Sequence, residues 1–132
     1  MRASLKALTI TALTAGTIFA ATGAADATTA TDVSYKGCTT DLWLTGSSDD
    51  YATASTYNSS SSYTCVFWLQ RGKYSDGSTT GWTAITSQTS VSGPNGEEDT
   101  GTYWDGPGLR VRACLYVWAG PYKSATYCSS GI

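Results

Sequence analysis

The sequence predicts an all-β protein: a single small antiparallel β-sandwich of immunoglobulin-like architecture, with about six to seven strands and two disulfides. Three observations carry that prediction. After residue 27 no apolar spacing of helical period occurs, and short β-branched and aromatic runs alternate with Gly, Pro, Ser and Asn clusters. Residues 109–118, LRVRACLYVW, alternate strictly between two faces, which is the period of a strand. Finally, the chain has 4 cysteines and no histidine, and no two cysteines have CxxC spacing. In a small exported protein that set reads as disulfides rather than a zinc site.

Export is read from the first residues. Met1–Lys6 is a short basic start, Ala7–Ala21 is weakly apolar, and Ala25-Asp26-Ala27 is an A-x-A site. Together they predict a secretory signal peptide over residues 1–27, removed after Ala27. The apolar run is too short and too Thr-rich to span a bilayer. The expected product is secreted and extracellular, with no membrane association after cleavage. Taking residues 1–27 from 132 leaves 105, enough for one domain. Losing Arg2, Lys6 and Asp26 from 8 cations and 10 acids leaves a net charge of −3. No basic stripe exists to collect phosphates, so nucleic acid is excluded as a partner.

Along the chain, residues 28–37 carry no cysteine and read as an extended N-terminal arm. The disulfide-stabilised sandwich is expected over residues 38–132. Its strands are expected at Tyr35–Leu44, Tyr63–Gln70, Gly81–Ser87, Thr100–Trp104, Leu109–Trp118 and Lys123–Cys128. Gly- and Pro-bearing turns separate them, such as Gly93-Pro94-Asn95-Gly96 and Ala119-Gly120-Pro121. Gly46–Ser62 is a long polar stretch, a surface loop with room for a short strand at Tyr51–Tyr57. Asn58-Ser59-Ser60 fits a glycosylation sequon, read as incidental behind a bacterial-type signal.

Parity selects the cysteine pairing. Cys38 shares a face with Thr40 and Leu42, and Cys65 with Phe67 and Leu69, so both point inward. Cys114 sides with Arg110 and Arg112, and its partner across the Pro121 turn is Cys128. A core bond between Cys65 and Cys114 would drag both arginines inward unpaired. The expected bonds are therefore Cys38–Cys65 and Cys114–Cys128.

Little in the sequence supports catalysis. Without histidine there is no ordinary general base near neutral pH, and oxidised cysteines offer no thiolate. The densest acidic group, Glu97-Glu98-Asp99, reads as a solvated turn after Gly96. Adjacent residues of an extended chain point apart, so Glu97 and Glu98 cannot face each other across a glycosidic bond. The calcium-loop pattern is missing too. No enzyme activity, metal or cofactor is predicted.

Binding is better supported. Five tryptophans and nine tyrosines stand among Ser-, Gly- and Thr-rich loops, a mixture suited to recognition. Arg110, Arg112, Tyr116, Trp118 and Tyr122 are expected to form one guanidinium-and-aromatic patch, the composition enriched at interface hot spots. The competing reading is that the arginines stack on rings of their own sheet. Residues 28–34 offer a second route, as a free arm that adds a strand to another protein's edge.

The Val111-Arg112-Ala113-Cys114 and Tyr127-Cys128 pair resembles the C-terminal hairpin of small exported two-disulfide β-sandwiches of actinobacterial type. Among these, the chain is similar to the adaptor subunits of umbrella-shaped antibacterial toxin particles. That resemblance implies a secreted adaptor joining a lectin subunit to a large stalk protein through an N-terminal arm. A likeness to two-disulfide α-amylase inhibitors lacks their Trp-Arg-Tyr turn. The reading is a non-catalytic module that docks another secreted protein. The alternative is a carbohydrate-binding or enzyme-inhibitor module using exposed Trp and Tyr.

Overall fold

A computed structural model describes residues 28–46, 49–75, 78–104 and 109–132, folded as two antiparallel sheets around one core. The expected signal peptide lies outside the described residues. The strands are β1 (Thr28–Tyr35), β2 (Cys38–Thr45), β3 (Tyr51–Asn58), β4 (Thr64–Ser75), β5 (Ser78–Ala84) and β6 (Thr89–Ser92). They continue as β7 (Gly96–Asp99), β8 (Tyr103–Trp104), β9 (Leu109–Ala119), β10 (Tyr122–Lys123) and β11 (Tyr127–Cys128). The large sheet has six strands ordered β10-β9-β4-β5, with β11 also on β9 and β6 also on β4. The small sheet has five, ordered β1-β2-β3-β7, with β8 also on β3.

The centre of the large sheet is the pairing of β4 with β9, in unbroken register from Leu109↔Lys73 to Trp118↔Thr64. Its inner face carries Cys65, Phe67 and Leu69 beside Val111, Ala113, Leu115 and Val117, all buried. Leu42, Ala52 and Ala54 of the small sheet complete the core. Each fully buried side chain of Val, Leu or Phe size contributes roughly 1.5–3 kcal/mol.

Both disulfides form in the pairing that parity predicts. Cys38–Cys65 joins β2 to β4 through the core, tying one sheet to the other, with Cα atoms 5.8 Å apart. Cys114–Cys128 joins β9 to β11 on the opposite face of the large sheet, with Cα atoms 4.0 Å apart. No cysteine is free among the described residues. Two such bonds are typical of extracellular proteins.

The fold departs from expectation in four places. The stretch read as a free arm is instead a strand, so the sandwich begins at Thr28: β1 lies along β2 from Thr28↔Leu44 to Tyr35↔Cys38. The turn is Lys36-Gly37, both at positive φ (+54° and +84°), the two-residue geometry that matches strand twist. Lysine is an uncommon occupant of that region, so composition did not mark a hairpin.

Second, Thr89–Ser92, where no strand is expected, pairs with β4 as β6, while the short strand allowed for at Tyr51–Tyr57 does form, running to Asn58 between β2 and β7. Its inner residues Ala52, Ala54 and Thr56 are small, so it lacks the bulky alternation that marks a strand. Third, the acidic run read as a solvated turn is edge strand β7, with Glu97 opposite Tyr57 and Asp99 opposite Ser55. Charge is tolerated there because an edge faces water and deters further pairing.

Fourth, the single strand expected at Lys123–Cys128 is broken in two. Ser124 interrupts it by turning its hydroxyl onto β9, where Val117 N donates to Ser124 Oγ at 2.9 Å; Ser129, just past β11, does the same with Ala113 N at 3.1 Å. These differences raise the strand number from the expected six or seven to eleven among the described residues.

Asn58 fixes the loops at one end. It is fully buried; its Nδ2 donates to the carbonyls of Tyr63 (2.8 Å) and Val91 (2.9 Å), and its Oδ1 accepts from Ser60 N (2.8 Å). Its backbone carbonyl accepts from Asn95 N at 2.7 Å. The amide that the sequon would glycosylate is thus consumed inside the fold. Asn58→Ala leaves three backbone groups short of a partner, at about 1–3 kcal/mol for each that stays buried and unsatisfied. A loss of about 3 kcal/mol or more in unfolding free energy is expected, read from a lowered urea midpoint at unchanged slope.

Candidate docking face

The outer face of the large sheet is a second apolar layer. Register sets Cys114 beside Trp68, Tyr116 beside Val66, and Arg112 beside Gln70. Trp68 and Tyr116 pack edge to face at 5.8 Å between centroids, and Tyr116 and Trp118 at 6.0 Å. Offset and edge geometries of this kind suit the ring quadrupoles. The Tyr116 hydroxyl donates to Gln88 Oε1 at 3.1 Å, and Lys123 Nζ lies 4.3 Å from the Tyr116 centroid. The disulfide Cys114–Cys128 packs in the same cluster. As a result Trp68 and Tyr116 are buried, whereas Trp118 at the end of the row is 38% exposed.

The arginines are held by their own sheet. Arg112 donates from Nε to Gln70 Oε1 at 2.8 Å, and its guanidinium carbon lies 4.3 Å from the Trp82 centroid. Burial lowers its pKa from the ordinary value, though a guanidinium keeps its charge at any ordinary pH. Arg110 donates from Nη1 to the Gly131 carbonyl at 3.1 Å. The chain at Gly131 runs so close over Trp82 that a Cβ there would come within 2.7 Å of the ring.

Of the five residues expected to share a patch, Arg112, Tyr116 and Trp118 do so, and Arg110 is turned to the C-terminal segment. Tyr122 does not share that face. It pairs with Ala119 while Lys123 pairs with Trp118, so the hairpin turns Lys123 outward and Tyr122 to the other side. Trp82 and Lys123 take part instead. Trp82 was not assignable from parity because a bulge, with Gly81 at φ +65°, shifts the register of β5 between Arg71 and Lys73.

The sheets sort charge. Every described Asp and Glu (Asp32, Asp41, Asp49, Asp50 and residues 97–99) lies on the small sheet or its loops. Among the described cations, Arg71, Lys73, Arg110, Arg112 and Lys123 lie on the large sheet, and Lys36 alone on the small one. The outer face of the small sheet is hydroxyl-rich, with Trp43 Nε1 donating to Ser55 Oγ at 2.8 Å. Asp32 and Asp41 stand directly opposite on adjacent strands of that sheet. Glu97 and Glu98 are both exposed on the edge strand.

No family model, curated protein or solved structure matches this chain. Among the described residues no group of three His, Cys, Asp or Glu is placed to hold a metal ion, and no helix is long and apolar enough to cross a membrane.

The opposed carboxylates give a measurable pH effect. Partial burial, and then the charge of Asp32, raise the pKa of Asp41. The folded state therefore holds its proton to higher pH than the unfolded chain does, and stability falls as pH rises through that range. Asp41→Asn is expected to raise unfolding free energy at neutral pH by roughly 0.2–1 kcal/mol, the scale of cross-strand like-charge repulsion. The gain should vanish at acid pH, where Asp41 is protonated anyway. Thermal melts of both proteins across pH check this.

Proposed function

We propose that this protein is a non-catalytic, secreted docking module whose partner, another secreted protein, seats on the outer face of the large sheet. The observation that supports the reading most is that face itself. Trp82 with Arg112 stands at one part of it and Lys123 with Trp118 at another, over the buried rings of Trp68 and Tyr116, with no Asp or Glu among its described residues. Aromatic and arginine side chains of this kind, already locked by packing, lose little conformational entropy on binding. An N-terminal signal peptide over residues 1–27 delivers the chain outside the cell, where its two disulfides persist. The role is that of an adaptor, by resemblance one within an antibacterial toxin assembly.

A second reading is favoured by a different feature. Tyr51 and Trp104 stand opposite each other across β3 and β8, exposed at 44% and 49%. Such a pair of open rings, among threonine hydroxyls, suits stacking on a sugar in a carbohydrate-binding module.

Affinity-tagged protein recovered from the culture medium of its producing host tests both. Docking predicts one defined protein retained at fixed stoichiometry, lost on Trp118→Ala and on Arg112→Glu, and kept on Trp104→Ala. Retention by all three variants overturns the assignment of the face. Tryptophan quenching by polysaccharides, abolished by Trp104→Ala with no protein retained, selects the second reading instead.

A further inference from the structure

One end of the sandwich holds a groove of about 230 Å³, formed where both sheets meet. Tyr35 and Lys36 of the β1–β2 turn, Tyr63 before β4, Val117 of β9, and Tyr122 and Lys123 of β10 line it. At that size it suits a side chain rather than a cofactor, since ligand pockets start at roughly 300 Å³. Its walls are tyrosine rings and aliphatic carbon, and its two charged residues are both lysines. No carboxylate is among the lining residues.

Two features mark the groove as more than a packing defect. Tyr122 is 76% exposed, the most exposed large apolar side chain described, so its ring contributes little to the core. Lys36 is the single exception to the charge sorting: the only described cation of the acidic sheet stands on this groove, alongside Lys123 of the basic sheet. It does so at φ +54°, a region in which Asn or Gly serves a tight hairpin better.

We propose that the groove receives an Asp or Glu side chain, borne on an extended segment of the partner protein that docks on the large sheet. This rests on the docking reading and adds the partner's chemistry. The carboxylate pairs with Lys36 at the groove mouth. Lys123 borders the groove with its ammonium on the Tyr116 ring and adds positive charge nearby. The incoming residue's aliphatic part lies on Val117, and neighbouring backbone runs along the Tyr122 ring. Charge-assisted pairing in a half-enclosed groove gives such a contact both strength and orientation.

The test is an amide-shift titration of isotope-labelled protein with a short poly-L-glutamate peptide; poly-L-glutamine and polygalacturonate are parallel probes. The expected shifts cluster at Tyr35, Lys36, Tyr122 and Lys123. Affinity should fall roughly tenfold for Lys36→Asn, which suits the turn, and for Lys123→Gln, while Lys73→Gln, remote from the groove, leaves it unchanged. Glutamine peptide should not bind.

Equal weakening by Lys73→Gln, shifts spread over Arg71 and Arg112, or no saturable binding overturns the proposal. So does polygalacturonate binding as tightly as polyglutamate, which would mark an acidic polysaccharide site. In the co-purification experiment, a partner kept by Lys36→Asn and lost by Trp118→Ala sinks the groove and leaves the docking face standing. A partner kept by Trp118→Ala sinks the face itself.

Discussion

The antiparallel register between β4 and β9 is the constraint on which the rest of the molecule depends. Both strands are apolar on both faces, so neither can lie at an edge with one side in water. Locking them residue by residue fixes Phe67, Leu69, Val111 and Leu115 toward the small sheet and fixes Trp68, Cys114 and Tyr116 away from it. A slip of one residue would exchange the two sets. Each disulfide leaves this pair on a different side: Cys65 reaches inward to β2 and Cys114 reaches to β11 on the outer face. In the chain-entropy view such bonds stabilise by about 3.5 and about 3 kcal/mol, given sequence separations of 27 and 14 residues. That is a large share of the roughly 5–15 kcal/mol by which a whole domain is stable.

Because the pair is apolar on both faces, the outer face needs cover, and basic side chains with long aliphatic stems provide it. Arg112 lies on Trp82 and Lys123 on Tyr116, each keeping its charge while shielding a ring. The small sheet meets the opposite demand. The inner residues of its strand β3 are small, its outer face is hydroxyl-lined, and Glu97 and Glu98 on its edge strand are exposed to water. Among the described residues the sandwich is positive on one side and negative on the other, although the net charge is only −2 over the whole sequence. Such a charge axis would orient the partner of the proposed docking role before contact, which net charge alone would not do.

Alternation made the large sheet legible. Ten strictly alternating positions in 109–118, and the doubly apolar run through Phe67 and Trp68, placed two strands, both disulfides and the inner core. What stayed hidden depends on backbone geometry or distant pairing. The Lys36-Gly37 turn hides a hairpin because its first residue is not a habitual turn former. The acidic strand β7 is held by pairing with β3 from forty residues earlier in the chain, which no local pattern reports. Trp82 and Tyr122 follow from related causes: a bulge sets the face of one, and hairpin parity turns the other away from the expected patch. For the site, sequence identified the residue types on β9 correctly but not which neighbours they would touch.

In the proposed docking role, cover and recognition share the same atoms. A guanidinium already stacked on Trp82 and bonded to Gln70 has lost most of its rotamer freedom during folding, so a partner that meets it orders little more. Trp118 and Tyr122 differ, since both rings remain open at the β9–β10 hairpin. Lys123 sits between them in sequence and space, touching the Tyr116 ring on one side and the groove on the other. A partner covering Trp118 therefore reaches Lys123 next, and the groove beyond it. The docking role proposed above would concentrate recognition at this hairpin, because here the rigid face ends and the exposed apolar and cationic surface begins.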